Sequence, residues 1–332
     1  MNGIGKRDYG SWIPASTIRI LDIITISLMA LTLASNNWFP REVTVVIGVI
    51  MILVLMFSLY MQSARNRMSA YDKGVMLEMC DFTVSRLMFG RGTSESDAEE
   101  SGDEESASGS GDETAGDDGA AGDAETAEAE ENAGNAGNEE AEEAYGEDSG
   151  GEAAGDDDTD GDAALRIIDV GCFTGCLSVR AALKFEDAVV RGVDDWHSEA
   201  SSGQCTNNAI AEGLSDRIAF EEQDISSLSY PDGSFDAAVT CYGFNRSKNK
   251  NKKALLEESL RVVRKGGAFA FTDFFSNQRE YGDIVKYLEE LKQRLEITEM
   301  HYAPNIERMD FVPALLRAPW LLMDTGIIFG IR

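Results

Sequence analysis

The residues of this chain best suited to chemistry stand in one short run, Ile167–Gly175, which reads I-I-D-V-G-C-F-T-G. An apolar strand ends there on an acid, Asp169, and passes through a turn bearing Gly171 and Gly175 into a helical pattern. A strand, a tight turn and a helix start bring free backbone N–H groups to one point, which is how an α/β sheet holds a nucleotide. Single acids close later apolar runs: Asp194, with Asp195 beside it, follows Val193, and Asp224 follows Gln223. A carboxylate at a strand end can accept two hydrogen bonds from a vicinal diol. One residue is out of character. Phe173 stands where such a turn takes a glycine, and a positive φ there would cost a bulky residue roughly 1–2 kcal/mol. Its ring would then compete with a ligand for space, whereas a negative φ would send it between sheet and helix.

The elements that must position these residues alternate. Strand patterns cover Leu165–Val170, Ala188–Val193, Ile218–Glu222, Phe235–Tyr242, Gly267–Thr272, Ile297–Tyr302 and Thr325–Ile331. Helical patterns cover Cys176–Phe185, Ser198–Gly213, Lys252–Arg264 and Tyr281–Arg294. Such alternation predicts a largely parallel sheet with helices on both faces.

Five signals in register resemble the class I S-adenosylmethionine-dependent methyltransferases. They are Asp169-Val-Gly171-Cys-Phe-Thr-Gly175, Gly192-Val193-Asp194, Gln223-Asp224-Ile225, Ser234-Phe235-Asp236 and Leu260-Arg-Val-Val-Arg-Lys-Gly266-Gly267. The resemblance covers about Ile167 to Arg332 and is nearest to membrane-anchored bacterial proteins carrying that domain. It implies a Rossmann-like, doubly wound, seven-stranded and mostly parallel sheet whose last strand is antiparallel. It also implies S-adenosylmethionine as cofactor, with Asp169, Gly171, Gly175, Asp194, Asp195, Asp224, Ile225 and Cys241 around it. Asp194 would take the ribose hydroxyls, and Asp224 with Ile225 would meet the adenine. Relatives of that type place a His-Glu pair where this chain has Asn245-Arg246. The obvious general base is therefore missing, and Tyr242 and Cys241 are the substitutes within reach. A nicotinamide fingerprint fits worse, because Gly171, Phe173 and Cys176 occupy its three small-residue positions.

The rest of the chain says where this chemistry would happen. Val43–Met61 is nineteen residues without a charge, and Ile20–Phe39 is a weaker apolar run interrupted by Asp22. Together they predict a transmembrane hairpin over residues 1–62, with a signal peptide as the rival for the first run. Lys6, Arg7 and Arg19 precede it and Arg65, Arg67 and Lys73 follow it, so both ends face the cytoplasm by the positive-inside rule. The spacing of Met68, Val75, Met79 and Phe82 predicts one amphipathic helix across residues 63–91.

The net charge of −30 is local. Gly92–Leu165 holds 28 acids and no Lys or Arg, which leaves 31 acids against 29 bases elsewhere. That composition predicts a disordered linker over residues 92–162, followed by the domain at 163–332. A domain that is not basic overall argues against nucleic acid as a partner. Five cysteines without a second pair at metal spacing argue for free thiols and no metal site. The expected activity is methyl transfer to a small acceptor at the cytoplasmic membrane face. The apolar run Phe311–Met323 makes a lipophilic acceptor plausible. The alternative is a catalytically impaired relative acting as a ligand-sensing or scaffold module, which Phe173 and the missing pair favour.

Overall fold

The computed structural model describes residues 7–69, 74–89, 164–197 and 200–332. The expected acidic linker lies outside the described residues. Seven strands form one sheet: β1 (Arg166–Val170), β2 (Val189–Asp194), β3 (Ile218–Glu222), β4 (Phe235–Cys241), β5 (Val263–Asp273), β6 (Glu299–Pro304) and β7 (Gly326–Ile331). Their order is β3-β2-β1-β4-β5-β7-β6. Strands β1 to β5 pair in parallel, and β7 runs antiparallel between β5 and β6. The direction of successive connections reverses between β1 and β4, and such a switch opens a crevice at the C-terminal strand ends.

The central strands β1 and β4 are buried on both faces, so they read as nearly continuous apolar runs. Successive side chains point to opposite faces: Ile167 joins one core cluster, while Ile168 and Val170 join the other. Helices α4 (Cys176–Lys184) and α5 (Ser202–Ala211) lie beside the first strands. Helices α7 (Lys252–Arg261) and α8 (Ile284–Arg294) contribute Leu255, Leu256, Leu288 and Leu291 to the second cluster.

Some boundaries differ from the sequence patterns. Helix α5 starts at Ser202, where the Ser201 hydroxyl accepts from Gln204 N–H at 3.2 Å. The helical pattern expected through Arg264 ends at Arg261, because Val263 already pairs with Phe235 of β4. The register then shifts between Phe235 and Ala237 of β4, which pair with Val263 and Ala268 of β5. A one-turn helix, α6 (Gly243–Arg246), appears where no pattern announced it.

At the N-terminal end, α1 (Ala15–Trp38) and α2 (Arg41–Arg67) form an antiparallel pair. Both are long and apolar enough to cross a membrane, with mean hydropathies of 1.8 and 2.7. Their apolar windows are 0% and 6% buried, which separates them from the core helices of this unit. Asp22 is not stranded: its carboxylate accepts from Ser58 Oγ at 2.9 Å and Gln62 Nε2 at 3.1 Å on α2.

The single helix expected over 63–91 is a correction. Helix α2 continues to Arg67, and a separate helix, α3, covers only Val75–Ser85. Gly74, before α3, lies so close to the end of α2 that a Cβ there would fall 1.5 Å from the Ser69 carbonyl oxygen. The break lets α3 lie on the sheet, where Met76, Met79 and Cys80 are buried. Thr83 Oγ1 meets Thr272 Oγ1 at 2.7 Å, and Asp81 forms an ion pair with Arg180 of α4, with Nη2 at 2.9 Å.

Candidate functional site

The turn after β1 is drawn against its neighbours by close approaches. Gly171, at φ 75°, lies so near Gly243 that a Cβ would meet that Cα at 2.4 Å. A glycine is therefore required by the packing of two loops. Gly175, at φ 77°, is the N-cap of α4, and its missing Cβ makes room for the Phe220 ring.

Phe173 adopts φ 54°, the conformation that strains a bulky residue. The surroundings hold it there, as strained backbone requires. Its N–H donates to Asp194 Oδ2 at 2.9 Å, and its carbonyl accepts from Trp196 Nε1 at 2.8 Å and Cys205 Sγ at 3.0 Å. The ring packs against Arg246, whose guanidinium carbon sits 4.2 Å from its centroid. The indole of Trp12 holds the same guanidinium at 5.2 Å.

These groups line one cavity. Asp169, Gly171 and Phe173 come from the β1 turn, and Cys241 and Arg246 from the exit of β4. Residues far away in sequence supply the remaining wall: Tyr9, Gly10 and Trp12 from the segment before α1, and Met76 and Cys80 from α3. That segment is tied down firmly. Asp8 carbonyl oxygen accepts from Asn208 Nδ2 at 2.9 Å and Gln204 Nε2 at 2.6 Å, and Tyr9 carbonyl oxygen accepts from Thr174 Oγ1 at 3.1 Å. The Trp12 ring packs edge-on to Tyr242 at 4.6 Å. About 30 Å³ of water-accessible room remains, enough for a few waters.

Asp169 is fully buried. Ser178 Oγ donates to its Oδ2 at 2.6 Å, while Oδ1 has no partner. Burial pushes its pKa up to about 7, against the opposing Ser178 hydrogen bond and Arg246 charge. A buried acceptor left open is costly, so this carboxylate suits a cationic donor such as an ammonium group. On that ground the residues present fit the amino-acid end of S-adenosylmethionine.

Of the other expected site residues, Asp194, Asp195, Asp224 and Ile225 stand at or just after strand ends and do not line this cavity. Asp194 ends β2, and its two oxygens accept from Phe173 N–H and from Trp196 N–H at 2.9 Å. Each oxygen keeps a further lone pair for a ligand hydroxyl. Asp195 pairs with the His197 ring. Asp224 is exposed and caps its own turn, accepting from Ser226 N–H at 2.8 Å and Oγ at 2.6 Å. Those bonds hold its pKa below the ordinary carboxylate range. Ile225 is buried in the second core cluster, and Cys241 lines the cavity.

Neither substitute base is fit for that work. Burial pushes the Tyr242 phenol well up, and its hydroxyl lies 3.1 Å from Thr325 Oγ1. The Cys241 thiol is pushed up by its hydrogen bond to Cys80 and by burial. Sequence reasoning missed the parts of the wall at Tyr9, Trp12, Met76 and Cys80. The only hint was the unusual richness of residues 9–12 in aromatic rings so close to an apolar helix.

Residues 167–267 match a family model described as methyltransferase domain. Sterol 24-C-methyltransferase erg-4 of Neurospora crassa is 28% identical over 124 residues, which are 37% of this chain and 31% of that protein. The 27-O-demethylrifamycin SV methyltransferase of Amycolatopsis mediterranei is 30% identical over 109 residues, 33% of this chain and 38% of that one. A solved geranyl diphosphate methyltransferase in complex with SAM is 16% identical with a TM-score of 0.37, covering 51% of this chain and 78% of its own. The chain thus spans about a third of the length of the curated relatives it matches. The family match begins in β1 and ends in β5, within a sheet ordered β3-β2-β1-β4-β5-β7-β6, so residues 167–267 are similar to a methyltransferase domain.

Proposed function

We propose that this protein transfers a methyl group from S-adenosylmethionine to a small lipophilic acceptor at the cytoplasmic face of a membrane. The observation that carries the proposal is the composition of the cavity wall. Tyr9 and Trp12 face the Asp169–Phe173 turn, and Pro14 and α1 follow at once. The base of the apolar hairpin and the cofactor corner are therefore contiguous. The return end is also fastened, because Ser11 bridges Ser69 and its Oγ donates to the Arg65 carbonyl at 2.9 Å. Tyr60 of α2 donates to the Leu315 carbonyl at 2.9 Å, beside the exposed ring of Trp320. An aromatic ring placed so suits the interface between headgroups and water.

In this reading Asp169 accepts from the ligand's ammonium group and Asp194 from its ribose hydroxyls. When bound, S-adenosylmethionine supplies a methyl group already electrophilic on its sulfonium sulfur. The buried Asp169, the thiols and the aromatic wall exclude water and hold the acceptor in line. With Tyr242 and Cys241 protonated, the site suits a soft nucleophile that needs no base.

A second reading, a ligand-sensing or scaffold module, is favoured by one observation: the cavity's room of about 30 Å³ is too small for an adenosyl group without movement. One experiment separates the two. The full chain in detergent is titrated calorimetrically with S-adenosylhomocysteine, alongside Asp194→Ala, and then given methyl-labelled cofactor with extracted membrane lipids. Micromolar binding weakened at least 30-fold in the variant, with label entering the lipid fraction, supports the transferase. Binding without label transfer, or no binding at all, overturns the transferase and leaves the second reading.

A further inference from the structure

Two departures from the family pattern, Phe173 in a glycine position and Arg246 in place of a glutamate, touch one another. They lie 73 residues apart in sequence, yet the guanidinium carbon is 4.2 Å from the benzyl centroid. Trp12 supplies a second ring at 5.2 Å. An arginine packed on two aromatic rings keeps a fixed plane and loses little further freedom when it binds.

The guanidinium is only partly used. Its Nη2 donates to the carbonyls of Cys241 at 3.1 Å and Gly171 at 3.4 Å, and its Nε is buried without a partner. Across the same cavity, Asp169 Oδ1 is buried without a partner. An open cationic donor and an open anionic acceptor in one small cavity match a ligand that carries both charges in reverse. An α-amino acid end is such a ligand.

We propose that Arg246 binds the carboxylate of the ligand's amino-acid end, opposite Asp169 on the ammonium, and that Phe173 and Trp12 are positioning residues that hold Arg246 for this task. The inference rests on the cofactor reading above and adds a source of selectivity to it: ligands lacking the carboxylate are rejected. It also gives the strained Phe173 a purpose. A glycine would relieve the backbone but remove the platform under the guanidinium. Charge-assisted donation to a carboxylate is among the stronger hydrogen bonds available to a protein, so the selectivity should be large.

The test compares ligands rather than activities. The full chain in detergent is titrated by calorimetry with S-adenosylhomocysteine, with its decarboxylated analogue and with 5′-methylthioadenosine, which lacks the whole amino-acid end. The parent should bind S-adenosylhomocysteine at least tenfold more tightly than either truncated ligand, a comparison that needs no variant. Arg246→Gln should lose at least tenfold for S-adenosylhomocysteine while 5′-methylthioadenosine stays within twofold, which also shows that the variant is folded. Phe173→Gly should lose about threefold to tenfold with the same ligand dependence, and the double variant should bind no worse than Arg246→Gln alone.

Equal parent affinity for all three ligands overturns the proposal. So does a loss in Arg246→Gln that falls equally on 5′-methylthioadenosine, or no loss at all. If the parent binds none of the three, the cofactor reading has failed and the inference falls with it.

Discussion

The two walls of the cavity are built on opposite principles. The strand-end wall is local: Asp169 to Gly175 is one continuous turn, fastened by bonds to Asp194, Trp196 and Cys205 within 32 residues. The facing wall is remote, because Tyr9 and Trp12 reach it from the far side of α1, α2 and α3, with Asp8 bonded to Asn208 across 200 positions. The local wall tolerates strain because neighbouring hydrogen bonds over-determine it. The remote wall is held by aromatic packing and by side-chain hydrogen bonds to its backbone carbonyls, so its displacement would leave the pairing of the sheet intact. A cavity with so little free room admits a ligand only if one wall yields, and the difference in construction indicates which.

The comparison is most severely tested at Gly171. Substitution by Ala places a Cβ against Gly243 at a positive φ, so urea unfolding of the detergent-solubilised chain should show a loss of roughly 3 kcal/mol or more. A loss under about 1 kcal/mol would mean the two loops part easily, and the claim of a rigid local wall would be lost.

Next in size is a pH effect at Asp169. Its folded pKa, near 7, lies above the ordinary value of 3.8, so the folded state binds this proton more tightly than the unfolded state. Stability should therefore fall as pH rises from about 4 to about 7, by up to about 1.4 kcal/mol per pH unit, and level off above. Buried Asp273, pushed up to about 6, adds a similar slope at the lower end. Asp169→Asn should flatten the part between about pH 6 and pH 7 and be more stable than the parent at pH 8. An unchanged slope in melting temperature against pH would refute this.

The smallest stability effect is expected on the remote wall. Trp12→Ala should cost about 1–2 kcal/mol, since the ring is only partly buried, yet it should speed ligand association several-fold in stopped-flow fluorescence. A loss as large as that at Gly171 would show the two walls to be equally structural, and the contrast would disappear.

Much of the fold was legible in the letters because its signals are short in range. Alternation of apolar runs, Asp169 before a glycine turn and Asp194 after Val193 all sit within a few residues of the structure they specify. The Val262-Val263 pair misled because two β-branched residues continue a helical stripe as readily as they open a strand, and only pairing with Phe235 decides it. The expected helix over 63–91 failed for a related reason. Its apolar stripe was real, but the buried side of Met76 and Met79 is set by the sheet beneath and not by the helix's own period.

The sequence by itself determined the sheet, the position of its nucleotide edge and the two apolar helices, because periodicity and turn chemistry act between near neighbours. Only the tertiary structure decided that Phe173 lines the cavity at a positive φ, that Arg246 lies on its ring, and that Tyr9 and Trp12 complete the cavity. Those facts depend on which distant surfaces exclude water together, and no short stretch of letters encodes such a meeting.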